Sequence, residues 1–302
     1  MVRGWQRMVM NSFVLFALVI GNLGVLPAGG AVVPIACDPA ASSAAATSAP
    51  ATPIAAVEAV FPEAGGELRV FAAASLVDAF NEVGADIQEA NPNLNITFET
   101  AGSQTLVTQL QEGAEADVLA TANNSTMATA VESGLIEGDP QIFTGNRLVI
   151  VTPEGNPAGI QSVDDLAGED INLVVAAPEV PVGNYSRNVL CAYSTTAEAP
   201  EGFIDAVNGN VVSEELDVRS VLAKVQIGEA DAGIVYASDA VSANLAGTPV
   251  TVLEFPDSLN VTAAYPIAPV AGGNVEMASA FIAYVLSEPG QATLERYGFV
   301  YP

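Results

Sequence analysis

From Glu67 onward, short apolar runs alternate with stretches of helical period, a rhythm that few folds accept. Residues 68–73 (LRVFAA), 94–98, 117–121, 147–152 (RLVIVT), 172–176 (NLVVA), 233–236 (GIVY) and 250–255 read as strands. Between them, residues 75–89 carry Leu76, Phe80, Val83 and Ile87 on one helical face, and 105–111, 218–227 and 275–286 also read as helices. Strand–helix alternation predicts an α/β fold whose sheets are mostly parallel, with helices on both faces. No repeat of solenoid type interrupts the pattern. The chain has 302 residues, half of them apolar, enough for one large domain or two of ordinary size.

The segment before this rhythm is of another kind. Arg3 and Arg7 precede an apolar run at 13–20 (FVLFALVI), the arrangement of an export signal. The run is shorter than the ~20 residues that span a bilayer, and Gly21, Asn22 and Gly24 break its continuation, although a signal anchor stays open. A small residue then precedes Cys37, and a stretch dominated by Ala, Ser, Thr and Pro runs to about residue 66. This resembles a lipoprotein signal. It predicts a signal peptide over 1–36, lipidation of Cys37 and a disordered tether over 37–66. Ordinary cleavage after Ala31 is the alternative. The only other cysteine, Cys191, falls in an expected helix, and a disulfide from there to a tether is not expected, because a tether holds no fixed geometry.

Charge and composition exclude whole classes of function. From Asp38 to the end, six basic residues face thirty-five acidic ones, a surface that repels phosphate backbones and rules against nucleic-acid binding. There is no histidine, which removes the commonest general base and metal ligand and every Ser-His or Cys-His arrangement.

Candidate chemistry lies where strands end and helices begin. At 72–78 (AAASLVD), Ser75 and Asp78 are spaced like a capping box, and at 102–106 (GSQTL) a second serine opens a second helix. Singly, each reads as a helix cap. Together they put two helix N-termini, with their free N–H groups, at the carboxyl ends of successive strands, where open α/β sheets bind ligands and helix starts attract anions. The proline-rich turn at 178–185 (PEVPVGNY), the helix start at 217–219 (DVR) and the strand ending in Tyr236 add further candidates.

In this order (AAASL, AGSQTL, GAEADVLATA, NRLVIV, PEVPVG, LDVRSVL, GIVYASDA, YPIA, RYGF) the motifs resemble the molybdate-binding proteins of ABC importers, over 67–299. The resemblance implies the two-lobed type II periplasmic-binding-protein fold. The first lobe would comprise 67–146 and 266–302, the second 147–265, with hinges near Asn146–Arg147 and Tyr265–Pro266. It implies a ligand set of the Ser75 and Ser103 hydroxyls, backbone N–H groups at Val182 and Val218, and the Tyr236 hydroxyl. The ligand would be molybdate or tungstate, held as an oxyanion and not through a metal-ligand cluster. A fully deprotonated dianion wants donors only, and neutral hydroxyls and helix-end N–H groups supply them without the desolvation of an arginine.

The implied protein is an extracytoplasmic, membrane-anchored monomer without cofactor, working with an importer's permease and ATPase. It is not an enzyme. Sulfate is the alternative ligand, and ferric iron, through Tyr185, Tyr236 and Tyr265, a further one.

Overall fold

The computed structural model describes residues 32–37 and 59–300, so the apolar export segment and most of the expected tether lie outside the described residues. The first lobe contains β1 (Gly66–Ala73), α1 (Val77–Ala90), β2 (Leu94–Ala101), α2 (Ser103–Gln111), β3 (Val118–Ala120), α3 (Asn124–Glu132) and β4 (Gln141–Asn146). The chain then crosses and builds β5 (Leu148–Thr152), β6 (Leu173–Ala176), α4 (Pro181–Ser194), α5 (Phe203–Asn210) and β7 (Val211–Glu215). The second lobe is completed by α6 (Val218–Gln226), β8 (Ala232–Tyr236), α7 (Ala237–Leu245) and β9 (Thr251–Glu254). The chain returns to the first lobe as β10 (Ala263–Pro269), α8 (Val275–Leu286) and α9 (Glu288–Arg296).

Each lobe has one five-stranded sheet, ordered β2-β1-β3-β10-β4 and β7-β6-β8-β5-β9. In the first, β1 runs parallel to β2 and β3, while β10 is antiparallel to β3 and β4. The second repeats the plan, with β6 parallel to β7 and β8, and β5 antiparallel to β8 and β9. The reversed strand of each sheet is the one that enters from the other lobe. The parallel strands β6 and β8 are wholly buried and almost wholly apolar, as strands covered on both faces must be. Phe80, on the apolar face of α1, meets Phe98, Phe143 and Phe281 at ring-centroid distances of 5.6–6.1 Å and so ties α1 and α8 to the sheet.

The mostly parallel α/β sheets expected from the alternation and the two lobes implied by the resemblance are observed, with two refinements. The return crossing is complete by Ala263, so Tyr265 belongs to the first lobe's sheet and not to the second lobe. The AAYPIAP run zips onto β4 from the Ala263–Asn146 pair, and Pro266 marks a register shift inside the strand, not its border. Proline has no N–H to give the ladder, which is why the pairing slips there. The second refinement is at 74–76, where a 3₁₀ turn (Ala74–Leu76) precedes α1, so the helix expected from Ser75 starts at Val77.

The N-terminal expectations change more. Residues 32–37 form a strap docked on the second lobe. Ile35 is buried, its N–H donates to Asn208 Oδ1 (2.7 Å), and its carbonyl accepts from Asn208 Nδ2 (3.1 Å). The Val33 N–H donates to Glu214 Oε2 (3.0 Å), and Cys37 is joined to Cys191 of α4 by a disulfide with a Cα–Cα distance of 5.4 Å. The disulfide judged unfavourable from sequence therefore forms, because α5 and β7 supply partners that hold the strap's backbone. A sulfur in a disulfide carries no thioether, so the lipidation expected at Cys37 does not hold in this structure. A signal peptide reaching Ala36 would also remove residues that dock here.

The disulfide spans 154 residues, and the chain-entropy argument for a loop of that length gives roughly 5 kcal/mol at most. Alkylation of the folded, unreduced protein is therefore expected to label neither cysteine. Cys191→Ser is expected to lower the melting temperature by several degrees, and a variant melting with the unmodified chain would show that the strap contributes nothing.

Candidate functional site

Every helix start at issue follows the carboxyl end of a strand, and the two lobes turn these ends toward each other. β1 leads into the 3₁₀ turn and α1, β2 into α2, β6 into α4, β7 into α6 and β8 into α7. The apposition is close. Gln104 Nε2 on α2 donates across the seam to the Leu216 carbonyl (2.9 Å), and a Cβ on Gly102 would lie 2.3 Å from that same oxygen. Glycine at 102 is therefore a requirement of the lobes' contact.

Ser75 and Ser103 are both buried, and neither caps a helix through its side chain. The capping box expected from Ser75 and Asp78 is absent. Instead Ser75 Oγ lies 2.8 Å from Tyr265 Oη, and Asp78 pairs with Arg219 of the opposite lobe. Ser103 is the first residue of α2, after Gly102, and its Oγ accepts the Ala122 N–H (3.0 Å). A hydroxyl that accepts from the backbone keeps its own proton to donate elsewhere.

In the second lobe, Pro181 opens α4, so Val182 and Gly183 carry the first N–H groups of that helix, without intrahelical acceptors. Val218 opens α6, where Asp217 spends its carboxylate on the Ser220 N–H (2.9 Å) and hydroxyl (2.8 Å), as a cap should. Both valines are buried. Tyr236 ends β8 fully buried, with its ring 5.8 Å from that of Tyr265, and its hydroxyl has no hydrogen-bond partner among the described residues. Burial, first, then the neighbouring Tyr265 and Tyr185, the Asp239 carboxylate and the nearby Tyr265 hydroxyl, which lies outside hydrogen-bond geometry, raise its pKa well above the ordinary value, so it is a neutral donor. A buried hydroxyl left unpaired costs about 1–3 kcal/mol. Ser75 and Tyr236 thus converge through Tyr265. The α2 and α6 starts that carry Ser103 and Val218 meet through Gln104 and Leu216.

Three partners escaped the sequence reading. Asn146, expected only as a hinge position, donates from Nδ2 to Ser238 Oγ (2.7 Å) and to Tyr265 Oη (3.4 Å). Tyr265, considered only as a hinge position and an iron ligand, is the neighbour of Ser75. Arg219 faces the buried Asp239 (Nε–Oδ1, 3.0 Å) while also pairing with Asp78. The one available signal was Arg219 beside Val218 in a chain of so few basic residues.

What the seam offers is a set of donors: hydroxyls, helix-end N–H groups and a phenol. Its one fully buried carboxylate among the described residues, Asp239, accepts the Tyr236 N–H at Oδ2 (3.1 Å), and its Oδ1 lies 3.0 Å from Arg219 Nε as an ion pair without the alignment of a hydrogen bond. No cluster of three acidic or cysteine ligands suited to a metal ion occurs among the described residues. A surface depression of about 400 Å³ lies elsewhere, at the amino ends of β1 and β3, and is lined by Glu67, Glu115, Asp117 and Arg69, the last paired with both glutamates. Its three carboxylates outnumber the single arginine, so it does not suit an anion.

Residues 68–300 match the family of bacterial extracellular solute-binding proteins. The chain is 40% identical over 234 residues to the molybdate-binding protein ModA of Mycobacterium tuberculosis, covering 77% of this chain and 84% of the relative. It is 32% identical over 241 residues to ModA of Escherichia coli, covering 78% and 89%. Among solved structures it is similar to the substrate-binding domain of a putative molybdenum ABC transporter from Clostridium difficile. That match has a TM-score of 0.58 and 28% identity, and covers 78% of this chain and 99% of the other.

Asp239 gives the seam a measurable pH dependence. Burial raises its pKa from 3.8 to about 6, against the lowering by Arg219 and the Tyr236 N–H, while Asp78 and Asp217 add to the rise. Between pH 4 and 6 the unfolded carboxyl has lost its proton while the folded one keeps it, so stability falls as pH rises through that window and is level above it. Asp239→Asn removes this contribution. The stability of the unmodified chain relative to the variant is expected to fall by roughly 2–4 kcal/mol from pH 4 to pH 7. Melts whose difference is flat over that range would refute the shift.

Proposed function

This chain belongs to the bacterial extracellular solute-binding proteins, and we propose that the seam between its lobes captures molybdate, or tungstate, for an ABC importer. The observation that carries this reading is the Tyr236 hydroxyl, a neutral donor buried without a partner among the described residues, in the same seam as Ser75, Ser103 and the first N–H groups of α4 and α6. A tetrahedral dianion without protons needs donors in several directions and no acceptor, and the set provides that. The names of the ModA relatives point the same way. A protonated phosphate would need a free carboxylate as acceptor, and Asp239, the buried one, is ion-paired with Arg219 and accepts the Tyr236 N–H.

The partners on this reading are the importer's permease and ATPase, with the binding protein as a monomer outside the cytoplasm, released from its signal upstream of the strap. No enzymatic role is proposed. Lys224 is paired with Glu215 and Ser213, and Cys191 is in the disulfide, so neither is available as a nucleophile.

Calorimetric titration with molybdate, tungstate, sulfate and phosphate tests the reading. Molybdate and tungstate are expected to bind alike and far more tightly than phosphate. Ser103→Ala and Tyr236→Phe each remove one hydrogen bond to a charged group, about 1.5–3 kcal/mol, or roughly ten- to a hundredfold in Kd. Unchanged affinity in both variants would mean that the hydroxyls do not touch the ligand. Tighter binding of sulfate than of molybdate would assign the other oxyanion.

A further inference from the structure

We propose that Tyr265 is a positioning residue for the ligand: through the chain Asn146–Tyr265–Ser75 it turns the Ser75 hydroxyl proton into the seam. This deepens the anion-binding reading above and rests on it.

The direction of the chain follows from its first member. Asn146 is fully buried, and its Oδ1 accepts the Arg147 N–H (3.0 Å) and faces the Ser238 N–H (3.5 Å). Backbone N–H groups can meet only an oxygen, so the amide is oriented, and its Nδ2 points at Ser238 Oγ and Tyr265 Oη. An amide nitrogen donates and never accepts. Tyr265 Oη therefore accepts from Asn146, and its own proton is left for Ser75 Oγ, 2.8 Å away. A phenol is also the stronger donor of that pair. With its oxygen occupied as an acceptor, Ser75 has one proton to give, and Tyr265 is its only side-chain partner among the described residues.

Tyr265 is built to hold this position. The register shift between Tyr265 and Pro266 falls at the residue whose hydroxyl is used, and strand bulges re-aim the side chains beside them. Its ring is locked edge-on against Phe143, Phe299 and Tyr236, with centroids 6.4, 5.5 and 5.8 Å away. The chain also reaches the second lobe, because the Asn146 amide that donates to Tyr265 donates to Ser238 as well. The opposite direction makes the opposite prediction. If Ser75 donated to Tyr265, its proton would be consumed, and losing the phenol hydroxyl would leave binding unharmed.

The test is a double-mutant cycle titrated with sodium molybdate. Tyr265→Phe keeps the ring and removes only the hydroxyl. It is expected to weaken binding about five- to twentyfold in the unmodified chain and in Ser103→Ala, and less than twofold in Ser75→Ala, because it acts through Ser75 alone. An equal loss in the Ser75→Ala background would make Tyr265 a merely structural residue, and no loss in the unmodified chain would reverse the chain's direction; either result overturns the proposal. Should Tyr265→Phe fold poorly, Asn146→Leu removes the first donor with Tyr265 intact. Its effect is expected to vanish in Ser75→Ala, and persistence there would overturn the proposal equally. If the unmodified chain does not bind molybdate, that reading fails by itself, and the same cycle is read with sulfate. If neither anion binds, the proposal falls with it.

Discussion

The structure depends on one geometric fact: in both lobes the helices that follow parallel strands begin at the carboxyl edge of the sheet, and the two edges face each other. A helix start leaves backbone N–H groups without acceptors. One such edge is an ordinary feature of α/β proteins, whereas two apposed edges surround whatever lies between them with donors. The reversed strands β5 and β10 make this possible. Each enters its sheet from the other lobe, so the crossings run beside the seam and the edges are drawn together.

The apposition resolves a conflict in the charge. A chain with this excess of carboxylates repels anions at long range, yet beyond ~10 Å ordinary salt screens such repulsion. Within the seam only local groups count. Asp78 and Asp239 would be harmful there if free, and Arg219 engages both, one from each lobe. An arginine so committed is part of the wall between the lobes. It leaves hydroxyls and N–H groups to face the ligand, and these need no counter-charge of their own.

The N-terminal strap shows how backbone hydrogen bonding overrides a composition-based reading. Residues 32–36 read as the end of a signal segment to be removed, yet Ile35 finds a buried site, and Asn208 pairs with both polar groups of its backbone as a neighbouring strand would. That pairing holds Cys37 within reach of Cys191. The disulfide then confines the strap to the second lobe, while Phe61 joins the apolar core.

The sequence alone determined the alternation of strands and helices, and the helix starts to within about two residues, because period and apolar runs are local properties that survive without neighbours. The division into lobes came from the order of motifs that resembles the family. Ser75, Ser103 and Tyr236 stand out locally only as helix starts and a strand end, and it is the family resemblance that groups them with Val182 and Val218 as a ligand set. Only the tertiary structure decided what these groups do beside one another. Ser75 looked like a cap with Asp78, but the two part company, one to Tyr265 and the other to Arg219, 190 and 141 residues away. Asn146 and Tyr265 carry no local sign of their role, because a hydrogen-bond chain is defined by partners that meet only when the crossing strands pair. The Cys37–Cys191 bond likewise needed α5 and β7 in place before its two ends could approach. Local period is written in the chain, whereas the donor facing a given acceptor is a property of how distant segments pack.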